Sequence, residues 1–399
     1  MTAEVTAGTT GAGTTGGAAQ QTPASAQANV LAAIPSEDVS RWHDAIAAEL
    51  RAAFEEVLAG AKFTMGPSLR AFEAEFAAFC GARDCVGISS GTAALHLSLL
   101  ALGVGPGDEV ITVPNTYVAT AFAITYTGAV PVFVDVDPVT HNLDPAAIGA
   151  VRTERTKVIL PVHMYGQAAD IDAIRQAAPD LPILEDAAHA HGATLGARRA
   201  GSLGDIAAFS FYPTKLLGSL GDGGAVTVAD NEFLQAKVRQ LRYMGQRVRK
   251  HDHEVLGYQE RLDEMQAAFL RVKLRHLEQQ IAGRRRVAAA YAELLAGTPL
   301  TLPAHDATGR HVYYMFTVLA PDRAALAAHL AAAGIGTQVI YPRLVPHQRA
   351  YASQPWRAGP LPVAETLPDR ILCLPMFAEL TDGEVERTAM AIRQFYGEA

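Results

Sequence analysis

Phe209-Ser210-Phe211-Tyr212-Pro213-Thr214-Lys215, followed by Leu220-Gly221-Asp222-Gly223-Gly224, carries an apolar, β-prone run into a lysine and then a glycine-rich turn. Upstream, Leu184-Glu185-Asp186-Ala187-Ala188-His189 closes another apolar run with an acid. Open α/β sheets bind ligands beyond the carboxyl ends of their strands, so both endings matter. Working outward, Cys85–Ile88, Val110–Val113, Val130–Val136, Val158–Val162, Pro182–Leu184, Ile206–Phe211 and Ala225–Val228 are expected as strands. Thr92–Leu102, Val118–Tyr126 and Ile171–Ala177 are expected as helices between them. This alternation predicts a three-layer α/β fold with a mostly parallel sheet covered by helices on both faces. Short, continuous apolar strands fit burial from both sides.

The flanks complete the plan. A helix is expected over Val39–Ala59, with Ile46, Leu50, Phe54, Val57 and Leu58 at helical spacing. After Asp230, helices are expected over Glu232–Met244 and Asp263–Leu295, separated by a polar, basic loop at Gln246–His253. Strands at Val312–Leu319 and Thr337–Tyr341 and helices at Arg323–Ala333 and Asp382–Tyr396 predict a smaller C-terminal α/β domain. The organisation is therefore a Gly/Thr/Ala-rich tail at 1–33, a large domain at 34–255 and a small domain at 256–399. The tail holds too few large apolar side chains to offset the entropy of ordering, and is expected to be disordered.

Composition narrows the function. The 399 residues are 49% hydrophobic and 19% charged, with a formal net charge of -8, which gives no support to nucleic-acid binding. Arg284-Arg285-Arg286 is expected on a solvated helix face. No apolar run is long enough to span a bilayer and no basic n-region is present, so a cytoplasmic protein is expected. Cys80, Cys85 and Cys373 match no zinc spacing; reduced, buried thiols and no metal site are expected.

Each chemical candidate has a plain structural alternative. Ser90-Gly91-Thr92 joins a strand to a helix, where open N–H groups and the helix dipole favour an anion, so Gly91 and Thr92 are candidate phosphate binders. A simple N-cap explains the same residues equally well. Lys215 is a candidate nucleophile and proton base, or else a surface loop lysine. Asp186 is a candidate partner for a protonated ring nitrogen, or else a turn aspartate; Glu185 points to the other face. Ser210 is a candidate phosphate donor, Tyr117 a candidate stacking partner for a flat ring, and His189 a candidate neighbour of a ring hydroxyl, while His191 reads as structural. A Schiff-base lysine and an acid for a pyridinium nitrogen are what pyridoxal 5'-phosphate (PLP) requires of a protein.

The chain resembles the DegT/DnrJ/EryC1/StrS sugar aminotransferases, PLP enzymes of fold type I, from about Val39 to the C-terminus. The resemblance rests on ordered motifs: Phe63-Thr64-Met65-Gly66-Pro67, Ser90 to Leu95, Glu185 to Gly192, Phe209 to Lys215, Arg261 to Ala268, and Tyr341-Pro342 to His347-Gln348. It implies that Lys215 forms the Schiff base, Asp186 pairs with the ring nitrogen, Tyr117 stacks, His189 lies by the hydroxyl, and Gly91, Thr92 and Ser210 hold the phosphate. It further implies a homodimer with shared sites, in which the Gly257–Arg261 segment lends a residue to the partner. Most relatives carry Asn where this chain has Gln259, and many place His where it has Ile340. Tyr341 and His347 are the substrate-side candidates. The Tyr-Pro-Thr-Lys and Gly-Asp-Gly-Gly forms resemble enzymes acting on nucleotide-linked 3-keto-6-deoxy sugars, with glutamate as the expected amino donor. Enzymes for 4-keto sugars or cyclitols are the alternative. A sugar dehydratase of this fold would carry His in place of Lys215. A non-catalytic PLP-binding role would leave the intact Lys215, Asp186 and phosphate loop unexplained.

Overall fold

Nine strands in chain order lead up to the site: β1 Asp84–Ile88, β2 Glu109–Thr112, β3 Val130–Phe133, β4 Thr156–Ile159, β5 Leu184–Asp186, β6 Thr194–Leu195, β7 Arg198–Arg199, β8 Ile206–Ser210 and β9 Gly224–Val228. The computed structural model describes residues 32–247, 251–304 and 309–397. The tail expected to be disordered lies outside the described residues up to position 31, as do 248–250 of the polar loop.

β1, β9, β8 and β5 are neighbours in that order. Parallel rungs Ile159–Ile183 and Val162–Asp186 carry the sheet on to β4, β2 and β3. β9 runs antiparallel to both β1 and β8, whereas β5–β8, β2–β4 and β2–β3 are parallel. The sheet is therefore mostly parallel, and its strands are buried on both faces as their apolar composition dictates. Register gathers the chemistry. Ile88 and Ser210 both face Gly224, and Asp186 faces Ala208, so strands from distant parts of the chain end at one edge.

The helix Gly91–Ala101 starts at that edge. Ser90 caps it by accepting from the Ala93 amide. Its apolar residues face every side, as a helix enclosed by other elements requires. Gly224 is needed beneath it: a Cβ there would lie 2.5 Å from the Ser90 carbonyl.

The long helix Glu264–Leu294 spans about 46 Å at 1.5 Å per residue. Beyond it, β10 Gly309–Arg310 adds to β6–β7, β11 Phe316–Leu319 pairs with β13 Ile371–Leu374, and β12 Arg357–Ala358 extends β3 in parallel. The closing helix Asp382–Phe395 carries a full capping box, Thr381 with Glu384.

Several expectations are corrected. The first helix breaks at Ile46 (φ -114°, ψ 14°) into Val39–Ala45 and Ala47–Gly60. A helix over Pro67–Cys80 occupies a stretch left without an element. Thr337–Tyr341 is no strand; it makes a single bridge, Gln338 to Cys373. Strand structure begins at Phe316 rather than Val312, because 312–315 bond instead to the turn at Tyr165–Gly166. Arg284 is not on a solvated face: it is buried and donates to the carbonyls of Tyr313, Tyr314 and Met376. The three cysteines are buried and free, as expected. Among the described residues no cluster suits a metal ion and no helix is long and apolar enough to cross a membrane.

Candidate active site

A cavity of about 510 Å³ opens at the carboxyl edge of the sheet. Gly91, Thr92, Tyr117, Asp186, His189, Ser210, Lys215 and Tyr341 all line it. These residues come from five separate stretches of the chain, and only the fold brings them together.

Asp186 ends β5, 5% exposed. Its Oδ2 accepts from the Thr120 hydroxyl at 2.8 Å, and its Oδ1 from the Ala188 amide at 3.2 Å. Thr120 is held in turn by Thr116, 2.8 Å away. Burial pushes the Asp186 carboxyl above its usual range, while the Thr120 hydroxyl, the Ala188 amide and the Lys215 ammonium pull it back. A cationic nitrogen facing this carboxylate would favour the charged form. Glu185 points the other way, as the alternation of a strand requires. Its fully buried carboxylate accepts from the amides of Gly201, Leu203 and Gly204 and pairs with His163 at 2.8 Å. His163 Nδ1 accepts from the Ala169 amide, so Nε2 carries the proton donated to Glu185.

Lys215 sits in the turn after β8, where its amide donates to the Tyr212 carbonyl at 2.9 Å. Its Nζ stands 4.5 Å from the centre of the Tyr314 ring. The same ring packs on His189, with centroids 4.5 Å apart. His189 is 5% exposed and its buried Nδ1 has no hydrogen-bond partner among the described residues. Burial, with the Lys215 charge, holds its pKa well below the ordinary imidazole value, so it is neutral at pH 7. His191 packs instead on Phe209 and Phe211, and burial drives its pKa down to about 3.

The helix Gly91–Ala101 aims its N-terminus at the cavity. Ser90 satisfies Ala93, while the amides of Gly91 and Thr92 find no acceptor among the described residues. Gly91 is required by its neighbour: a Cβ there would lie 2.7 Å from the Ser210 Cβ. Two small residues from β8 and the helix thus form a cradle of open donors.

Tyr117 is 58% exposed, and its ring lies 6.2 Å from that of Tyr341. Ile340 lines the cavity beside Tyr341. His347 does not; it is exposed and lies in a separate groove with Trp356. Gln259 is exposed too, outside the cavity, on a bridge with Tyr243. Sequence reasoning missed Glu37, Thr120, Tyr314 and Gln338. Thr120 lies one helical turn past Thr116 and was legible as a pair; nothing local marks the other three.

Residues 44–393 match the model of the DegT/DnrJ/EryC1/StrS aminotransferase family. A pleiotropic regulatory protein of Geobacillus stearothermophilus is 43% identical over 368 residues, covering 91% of this chain and 98% of that protein. The dTDP-3-amino-3,4,6-trideoxy-alpha-D-glucose transaminase of Streptomyces venezuelae is 43% identical over 365 residues, covering 91% of this chain and 96% of the relative. Among solved structures, S. venezuelae DesV in complex with a ketimine intermediate superposes with a TM-score of 0.89 at 42% identity, over 92% of this chain and 100% of that one. The fold, the ordered motifs and these matches agree: this chain belongs to the DegT/DnrJ/EryC1/StrS aminotransferase family.

Proposed function

We propose that this protein is a PLP-dependent sugar aminotransferase that moves an amino group from glutamate to a nucleotide-linked 3-keto-6-deoxyhexose. One observation carries the reading: Lys215 and Asp186, delivered by different strands, line one cavity with His189 and with Gly91 and Thr92, whose amides find no acceptor among the described residues. The residues present fit PLP. Gly91, Thr92 and Ser210 would hold its phosphate, Asp186 its ring nitrogen, His189 its hydroxyl and Tyr117 a ring face; Lys215 would bind its aldehyde carbon. When bound, PLP supplies an electron sink for the carbon that loses a proton. Once the donor's amine has displaced it from the aldehyde carbon, the Lys215 Nζ would be free to take the proton from the donor's α-carbon and return it. The Thr120 hydroxyl keeps the Asp186 carboxylate aimed and charged. Met315 and Ile340 give the cavity part of its apolar lining.

The Gly221-Asp222-Gly223-Gly224 form and the 3-amino sugar that names the S. venezuelae relative support a ketone at position 3. Dimerisation belongs to the same proposal. Leu256, 95% exposed, stands three residues from the exposed Gln259, an apolar side chain on a surface that a second copy would cover. Gln259 would then reach the partner's phosphate site.

The test is incubation with PLP, glutamate and a panel of nucleotide 3-keto and 4-keto sugars and keto-cyclitols. The expected result is bleaching of the visible absorbance by glutamate, and one 3-keto sugar that gains an amine by mass spectrometry. Amine on a 4-keto sugar or cyclitol moves the substrate assignment. No bleaching by any amino donor overturns the enzyme.

A further inference from the structure

Lys273 lies in the third turn of the helix Glu264–Leu294, with none of its surface exposed and outside the cavity lining. Its Nζ donates to the Gly218 carbonyl at 2.6 Å and meets His43 Nε2 at 2.8 Å. The Trp42 ring centre is 4.7 Å away. No carboxylate pairs with this amine among the described residues. A buried ammonium without a counter-ion is expensive, and an apolar side chain of similar size would fill the space at lower cost. Burial drives its pKa down to about 7, which expresses that cost. Stability therefore does not explain why a lysine stands here.

What the amine holds does explain it. Gly218 comes three residues after Lys215 and closes the same turn. A Cβ at Gly218 would lie 2.3 Å from the Pro213 carbonyl oxygen, so the turn folds back on itself and tolerates no side chain. On one side Lys215 bonds to Tyr212; on the other, the Ser219 amide and hydroxyl both donate to the Phe211 carbonyl, at 2.8 and 2.7 Å. These bonds tie the turn to its own strand. The bond from Lys273 ties it to a different helix. His43 completes the link: burial and the Lys273 charge lower its pKa to about 4, so at pH 7 it is a neutral acceptor. Lys273 thus joins the N-terminal helix Val39–Ala45, the long helix and the Lys215 turn at one atom.

We propose that Lys273 is a positioning residue for Lys215: its amine, steadied by His43, grips the Gly218 carbonyl and sets the angle at which Lys215 enters the cavity. The proposal rests on the assignment of Lys215 as the residue that binds PLP.

The test compares the holoenzyme with Lys273→Met, Lys273→Arg and His43→Leu. Three quantities are read: the kcat to KM split, the pH midpoint of the visible absorbance of the Lys215-linked cofactor, and the fraction of cofactor fixed to Lys215 by borohydride, counted by peptide mass. Lys273→Met is expected to lower kcat by about tenfold with the KM for glutamate held, since small displacements of a reacting group cost on that scale. The absorbance midpoint moves and the fixed fraction drops. Lys273→Arg restores much of the loss, and His43→Leu acts in the same direction with a smaller effect. A Lys273→Met enzyme with the parent's kcat, midpoint and fixed fraction overturns the proposal, whatever happens to its melting temperature. Should Lys273→Met not fold, His43→Leu decides, because His43 is half-exposed; parent-like values there overturn it too. Failure of the underlying assignment has a different signature: borohydride fixes no cofactor to Lys215 in the parent.

Discussion

Thr120 shows how one hydroxyl serves a site at some distance in sequence. It donates to Asp186 across a separation of 66 residues and has no exposed surface. A hydrogen bond to a charged group contributes about 1.5–3 kcal/mol, so Thr120→Val is expected to reduce kcat/KM by about tenfold or more. The sign of its pH effect follows. Losing a donor to the charged form raises the Asp186 pKa further, so the acid limb of the pH–rate profile moves to higher pH, and Thr120→Ser restores it. Steady-state kinetics between pH 5 and 8, as a rough window around neutral, checks both. Glu37 is the second instructive residue. Its carboxyl lines the cavity, forms no hydrogen bond among the described residues, and is pushed up by burial against the pull of Arg284 and Lys215. A carboxylate there repels a second one. Glu37→Gln is expected to raise kcat/KM for a nucleotide-linked uronate by about tenfold relative to a neutral sugar, and equal ratios in parent and variant would refute this. Lys215 and Asp186 were legible as candidates because they stand in ordered motifs at the ends of apolar runs; Glu37 was not, because its neighbours in the cavity lie hundreds of residues further along the chain.

Elements are fixed by caps supplied from elsewhere. The helix Pro67–Cys80 has no side-chain cap of its own, since Gly66 stands at the cap position. Glu264 supplies it, accepting from the amides of Gly66, Ser68 and Leu69 at 2.7, 2.8 and 3.0 Å. The helix then lays Phe72 and Phe76 edge-on against Phe209 and Phe211 of the segment leading to Lys215. Glu264→Ala leaves three buried amides without an acceptor and is expected to cost about 2–4 kcal/mol by urea unfolding. Pro67 at the start, Gly81 in the left-handed conformation at the end, and apolar residues four apart were all present to announce this helix. At the other end, Glu384 caps Asp382–Phe395 and takes a fork from Arg41 at 2.8 and 2.6 Å. The Arg41 hydrogen bonds first, and then the Thr381 amide and hydroxyl, hold its carboxyl down to about 2. A depressed acid contributes stability above its unfolded pKa and loses it as pH falls through the folded value. Stability from this contact is therefore complete above about pH 5 and fades toward pH 2, and Arg41→Ala should flatten the acid side of the thermal-stability profile.

Shared sites are tested at the scale of the whole molecule. The proposed dimer has twice the mass of the 42.3 kDa chain, readable by analytical ultracentrifugation. Mixing Lys215→Ala with Gln259→Ala protomers is expected to restore activity, because one of the two sites in each mixed dimer would draw Lys215 and Gln259 from intact chains. A mixture no more active than the Gln259→Ala protein it contains would show that Gln259 serves no partner. The sequence by itself determined the alternation of strand and helix and the burial of the strands, and it named Lys215 and Asp186 as the candidates for the proposed chemistry. These follow from local periodicity and from what a cofactor demands of its neighbours. Only the tertiary structure decided which strand lies beside which, that Gly91 must be bare because Ser210 approaches it, and that Thr120 bonds to Asp186, Tyr314 packs by Lys215 and Lys273 bonds to the turn that carries Lys215. The reason is physical: a hydrogen bond or a packed ring depends on distance in space, and a chain that folds into a parallel sheet brings together residues that no short window of sequence contains.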